Sequence, residues 1–332
     1  MPSESSASYP REFLARPGNS FVLPEHKIAY QSVTKAACTS LRWMLADLAG
    51  EDLESFTRGA SGVQSRLMTI HRGVWLWNKV RTVSHMSDEE VAEIRPDNGW
   101  FVFAVTRDPW SRLWSAWQSK FLVRHNRYLR TFGDAPFFPR VPQQPSDVVE
   151  DFARFVEMHP WTSDPVLRDD RHFWMQVNSV RPSLVPYTEV YDLKDFSRLV
   201  ADVHTHLAGL GKDRELYLPR ANENPLGLTR EVMGDGVREA IEELYAPDFE
   251  TFGDRWSFDD LRFTADGWTP DALSHVATHT VANDWIGHLA AIAQQRGKRS
   301  RKLKRKLDRA NARIADLEAQ LAGRSRRLPW RR

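Results

Sequence analysis

Cysteine is almost missing from this chain. Cys38 is the only one in 332 residues, which excludes an intramolecular disulfide framework and a zinc cluster built on several thiolates. No apolar run approaches the roughly 20 residues of a membrane-spanning helix, and the opening "MPSESSASYPREF" lacks the apolar core of a secretion signal. These absences point to a reducing compartment, the cytoplasm. Net charge is nearly absent too, at +2, but the balance hides an asymmetry. Residues 296–332 carry 15 Lys/Arg against 3 Asp/Glu, so the tail is +12 and the remainder about −10. General attraction for anions resides in the tail, and an anion site in the body has to be a local pocket. No internal repeat is evident.

What is present reads as α/β. "HKIAYQSV" (26–33) has strand composition, and "SLRWMLADLAG" (40–50) reads as a helix with Ser40 as N-cap and Gly50 as stop. "VWLWNKV" suits helix or strand, and "VRTVSH" (80–85) predicts another strand. "SDEEVAEI" opens with a capping box in which Ser87 and Glu90 satisfy each other's backbone donors. "GWFVFAVT" (99–106) is apolar without alternation, as a central parallel strand buried on both faces requires. Asp108 and Pro109 then supply a cap and a first helical turn. Three strands each feeding a helix predict a parallel sheet with crossover helices. Proline-rich residues 131–150 predict an excursion, and residues 151–180 read as helical. "SLVPYTEVYDL" offers a further strand, with helices in "FSRLVADVHTHLAGL" and "REAIEELYAPDFETF".

The C-terminus differs in kind. Leu303, Leu307, Ala310, Ile314, Leu317 and Leu321 alternate spacings of four and three, in phase with Ile286, Leu289 and Ala293. That is a coiled-coil seam, with Gly323 as a helix stop, and it predicts homo-oligomerisation or docking through 286–321. The other reading is one amphipathic helix packed on its own domain. The basic tail suits peripheral contact with acidic lipid, whereas a charge run of this kind is otherwise merely solvated, and nucleic acid is not the expected partner. The chain divides into a loose lead-in (1–25), a body (26–284) and a basic helix (285–332).

Two loops carry chemistry. Thr34-Lys35-Ala36-Ala37-Cys38-Thr39-Ser40 lies between a strand and a helix, where unpaired backbone N–H groups attract phosphate, small alanines permit close approach and Lys35 adds a point charge. Both glycines of G-x-x-x-x-G-K-S/T are missing, and a helix start with nothing bound explains the loop alone equally well. Arg107 closes the central strand, where open α/β sheets bind ligands, and its fork suits a phosphate. Ser115, two turns on, can add a hydroxyl, and Arg112 suits either an anion or a carboxylate. Trp110, Leu113, Trp114, Trp117 and Phe121 recur at helical spacing and read as core or as packing beside a nucleobase.

Together, "TKAACTSLRWML" and "FVFAVTRDPWSRLWSAWQSKF" resemble the two nucleotide-binding motifs of sulfotransferases, most closely the Golgi-type carbohydrate sulfotransferase superfamily (sulfotransferase family 2), with patterns near P-K-x-x-C-T-S and R-D/E-P-x-x-R-L-x-S. "DRHFWMQVNSVRPSLVPYTEVYDLKDF" and "YAPDFETFG" extend the resemblance, which covers about 27–253. It implies a P-loop-like α/β fold that binds 3′-phosphoadenosine 5′-phosphosulfate (PAPS), releases adenosine 3′,5′-bisphosphate and needs no metal. It assigns the 5′-phosphosulfate to Lys35, Ala36, Ala37, Cys38, Thr39 and Ser40, and the 3′-phosphate to Arg107 and Ser115. Thr34 stands where the family usually has proline, which is expected to loosen the turn.

The implied activity is sulfuryl transfer to a hydroxyl of a carbohydrate, glycolipid or related small molecule, with Lys35 stabilising the departing bisphosphate. A general base is needed, and histidine or glutamate is the usual choice. His85, at a predicted strand end 22 residues before Arg107, comes first, because a similarly placed histidine is the base of related heparan sulfotransferases. His71 competes with it, followed by Glu89 or another carboxylate. His172 resembles a family histidine but reads as a packed or hydrogen-bonded residue. Arg220 and Asn222 fall where the family places a loop near the nucleotide, or in a solvated loop. Cys38 has no neighbouring base that makes it a nucleophile. The alternatives are an inactive sulfotransferase-like scaffold working through its coiled coil, and a nucleotide-dependent kinase, which the missing glycines disfavour.

Overall fold

A computed structural model describes residues 19–58, 66–220, 224–234 and 236–325. Its centre is one four-stranded sheet in the order β1-β2-β3-β4, formed by Ser20–Leu23, Ile28–Gln31, Phe101–Thr106 and Glu189–Asp192. β2, β3 and β4 run parallel, and β1 pairs antiparallel with β2. β1 falls within the stretch expected to be a loose lead-in, yet all four of its residues are buried. The expected strand at 80–85 contributes only an isolated bridge, Val22↔Arg81, before a tight turn at Val83–His85. Val83 is drawn into an apolar cluster with Val22, Ala29 and Val102, so burial is met without a ladder.

β3 is buried along its whole length, as its uninterrupted apolar run requires. On one side α1 (Cys38–Leu48) buries Leu41, Met44, Leu45 and Leu48 against Tyr30 and Phe103, and each such side chain contributes about 1.5–3 kcal/mol. The short α2 (Asp88–Ala92) starts with the expected Ser87–Glu90 capping box. α3 (Pro109–Trp117) starts on Asp108, whose carboxylate accepts from the Ser111 N–H at 2.7 Å, and it is buried throughout. Its Trp110, Trp114 and Trp117 join a second core with Phe121, Phe152 and Phe155, so these aromatics are core residues.

α4 (Asn126–Phe132) and α5 (Pro145–Met158) close that core. α6 (Gln176–Val180) precedes β4, and α7 (Phe196–Gly209) follows it. α8 (Val237–Leu244) and α9 (Ala246–Phe252) complete the body. α10 is a single helix, Pro270–Ser325, which runs through Gly323 rather than stopping there. No helix among the described residues is long and apolar enough to cross a membrane.

The parallel strands place three loops at one sheet edge. Those after Gln31, Thr106 and Asp192 all leave the carboxyl ends of β2, β3 and β4, the crevice where open α/β sheets hold ligands.

Candidate active site

The loop after β2 is held in an unusual shape. Lys35 (φ 66°) and Ala37 (φ 54°) both take left-handed backbone conformations without being glycine, which costs on the order of 1–3 kcal/mol each. Arg112, 1% exposed, offsets this by binding three carbonyls: Nε to Thr34 (3.1 Å), Nη1 to Trp174 (2.8 Å) and Nη2 to Arg171 (3.2 Å). It is a clamp for backbone, not an anion ligand or a carboxylate partner. Thr34 fastens the turn rather than loosening it, because its hydroxyl donates to the Arg171 carbonyl at 2.6 Å.

Ala37 caps α1 without a side-chain hydrogen bond, so no cap side chain takes up the orphan N–H groups of the first turn. Lys35 lies beside them, 8% exposed, its carbonyl accepting from Arg107 Nη1 at 3.5 Å and its side-chain amine without a hydrogen-bonded partner among the described residues. Burial, with Lys120 and Arg107 as cationic neighbours, lowers its ammonium to about 7. An unpaired buried amine next to a bare helix N-terminus is a site fitted to an anion. Of the other loop residues, Ala36 is packed in the core, Cys38 is buried and Ser40 donates outward to the Pro219 carbonyl at 2.7 Å.

Arg107 reaches the same loop, its Nη1 lying 3.5 Å from the Lys35 carbonyl. Its backbone is gripped by Gln176, whose side chain accepts from the Arg107 N–H (2.9 Å) and donates to the Arg107 carbonyl (2.7 Å). Gln176 and Val177 in turn donate their backbone N–H groups to Asp248 of α9, both at 2.8 Å. The guanidinium donates through Nε to Ser111 Oγ at 2.8 Å and faces a cavity of about 460 Å³, a size suited to a nucleotide. Trp114, Trp256, Asn224 and Arg262 also line it. Ser115 does not. It is 3% exposed and donates to Asn224 Oδ1 at 2.7 Å, so Ser111 is the hydroxyl that accompanies Arg107. Arg220 is exposed at the end of the described 66–220 stretch, and Asn222 lies outside the described residues.

A histidine cluster also lies close enough to Lys35 for its charge to act on both His71 and His172. His71 is locked at both ring nitrogens: Arg42 donates to Nδ1 at 2.9 Å, and Nε2 lies 2.8 Å from Thr39 Oγ1. A guanidinium only donates, so Nδ1 accepts and the proton sits on Nε2, facing Thr39. Burial, with Arg42 nearby, holds this imidazole well below its ordinary pKa. The structure thus brings His71 to the Lys35 loop but leaves it no lone pair for a substrate proton.

His85 is not brought there. It is exposed on the turn beyond β1, with Nδ1 3.5 Å from Thr82 Oγ1, and Glu89 is exposed on α2.

His172 has the geometry that His85 and His71 lack. Its Nδ1 is 2.6 Å from Asp170 Oδ1, its Nε2 has no partner among the described residues, and its side chain is 29% exposed. Asp170 also accepts from the His172 backbone N–H at 3.0 Å and from the Tyr128 hydroxyl. Burial alone favours the protonated carboxyl, but His172 and Tyr128 outweigh it and hold Asp170 well below the usual range. Burial, with Lys120 and Lys35 nearby, lowers His172 to about 3, so the ring is neutral at pH 7. The sequence signal for this dyad was Asp170-x-His172, a spacing at which an aspartate can bond two residues ahead. Lys120 and Tyr128 carried no such signal.

A model of the sulfotransferase family matches residues 18–253, more than two thirds of the chain. The chain belongs to the sulfotransferase family. No curated protein and no solved structure matches it. The match ends before α10, which begins at Pro270.

Proposed function

We propose that this sulfotransferase uses PAPS as donor and transfers its sulfuryl group to a hydroxyl of a carbohydrate, glycolipid or related small molecule. The observation that carries the reading is Lys35, a buried residue whose carbonyl lies 3.5 Å from Nη1 of the cavity-lining Arg107 and whose charge also acts on His172. PAPS, when bound, supplies an activated sulfuryl group on an anionic leaving group, and the cations Lys35 and Arg107 fit its charge.

Arg107 and Ser111 hold the 3′-phosphate at the cavity mouth, with Trp114 and Trp256 as the apolar walls of the adenosine site. The first turn of α1 and Lys35 hold the 5′ end, and Lys35 stabilises the negative charge that develops there. His172 takes the acceptor proton on Nε2, while Asp170 fixes the Nδ1–H tautomer and Tyr128 fixes Asp170. A base lowered to about 3 is weak, but Lys35 and Lys120 contribute to that lowering. Burial is the main cause of the lowering, and an anion that neutralises Lys35 removes only the smaller part due to that neighbour.

Thermal melting tests the nucleotide half: adenosine 3′,5′-bisphosphate raises the midpoint more than ATP does. Labelled PAPS incubated with fractionated host metabolites tests the transfer half and identifies the acceptor. A nucleotide response with no transfer into any fraction favours the inactive scaffold.

A further inference from the structure

The first third of α10 belongs to the body. Leu273 and Val276 are buried, the Thr280 hydroxyl donates to the Leu122 carbonyl at 3.0 Å, Asn283 donates to Val123 at 2.5 Å, and Arg124 pairs with Asp284. Beyond Gly287 the helix leaves the surface, and every residue from 298 to 321 is exposed. The stretch from 289 to 325 is roughly 55 Å long at 1.5 Å per residue. Helices in water draw most of their stability from packing an apolar face, and this one exposes Leu303 (57%), Leu307 (60%), Ile314 (53%) and Leu321 (66%) along one seam.

We propose that this seam pairs with the same seam of a second copy, antiparallel, over residues 303–321. Ile314, Leu307 and Leu321 occupy heptad a positions, with Leu303, Ala310 and Leu317 at d. In a parallel, in-register pair Arg313 at g meets Glu318 at e of the other copy, but the charges towards the N-terminal end of the seam are poorly placed. Arg299 at g meets Lys304 at e of the other copy, Arg296 at d meets itself, and the eight Lys/Arg of 296–306 lie beside the same eight.

The antiparallel pair has layers 303 with 321, 307 with 317 and 310 with 314. It puts Lys304 opposite Glu318 twice, with one Arg313 pair as its unfavourable contact. Residues 304–306 then face 318–320, whose only charge is Glu318.

Light scattering of the full chain at micromolar concentration is expected to give about twice 38.3 kDa. Ile314→Asp halves that mass while leaving the melting shift with adenosine 3′,5′-bisphosphate unchanged. For orientation, Leu307→Cys and Leu317→Cys chains are oxidised separately and mixed. The antiparallel layer brings the two positions within disulfide reach only in the mixture, whereas a parallel pair cross-links each variant with itself. A monomer, an Ile314→Asp protein that stays dimeric, or self-cross-linking of either variant overturns the proposal. So does a monomer that sediments with acidic phospholipid vesicles, which makes lipid the partner of the seam.

Discussion

The two sides of Lys35 are built differently. On the Arg107 side, a single run of sequence from Phe101 to Trp117 supplies the strand, the cap, the cation and its hydroxyl partner, while most of the cavity lining comes from segments around Asp192, Asn224 and Trp256. On the His172 side only Asp170 and His172 are close in sequence. Thr39, His71, Lys120, Tyr128 and Asp170 come from separate turns and helices: hydrogen bonds join Thr39 to His71 and Tyr128 to Asp170, and the Lys120 ammonium lies over the Tyr128 ring. A donor common to a family can be held by a local motif, whereas the acceptor side is assembled long-range and its identity is correspondingly hard to read.

Mutations break that comparison most sharply on the acceptor side. His172→Ala is expected to lower transfer by about 10²–10⁴, the usual contribution of a general base, with nucleotide affinity retained. Asp170→Asn should follow it in part, because the tautomer is lost but the ring remains. Labelled-sulfate transfer measures both, and normal turnover of His172→Ala returns the role to another group.

Lys35→Ala comes next, with a loss of about 10²–10³ in transfer, as for removal of one donor at a developing charge. Arg107→Ala is smaller and lies on the other side: loss of a charged hydrogen-bonding group of about 1.5–3 kcal/mol weakens adenosine 3′,5′-bisphosphate about 10- to 150-fold.

Lys35 also ties nucleotide affinity to pH. Its ammonium is lowered to about 7, and a bound anion raises it again, so binding takes up a proton above pH 7. Affinity is expected to fall by about tenfold per pH unit above 7, and Lys35→Arg should flatten the profile in calorimetric titrations at several pH values.

The smallest effect is on stability. His71 and His172 are held below the ordinary histidine value when folded, so the unfolded chain binds more protons as pH falls below 6.5. The folded state loses stability from pH 6.5 towards 3, a decline that melting of the ligand-free protein reports, and His71→Gln should make it shallower.

Legibility in the sequence followed the range of the interactions involved. β3, the Asp108 cap and the Ser87–Glu90 capping box depend on residues within a few positions of one another, and each was readable. The helix after the Lys35 loop was also expected, but not its start, because Ala37 caps it in a left-handed conformation that only the Arg112 clamp on Thr34 explains. β1 was missed because its pairing with β2 is what makes four residues of an ordinary lead-in a strand. The family resemblance assigns Ser115 to the nucleotide, whereas Asn224, over a hundred residues away, captures its hydroxyl. His85 was favoured as the end of a strand that exists only as one bridge, whereas Asp170-x-His172 drew its meaning from Lys35 and Lys120, which sequence distance concealed.

The most direct test of the divided site is calorimetric titration of adenosine 3′,5′-bisphosphate into the wild type, Arg107→Ala and His172→Ala at pH 7. Wild-type affinity in His172→Ala and a loss of at least tenfold in Arg107→Ala are predicted. Equal losses in both variants, or no loss in Arg107→Ala, contradict a site in which Lys35 separates nucleotide from base.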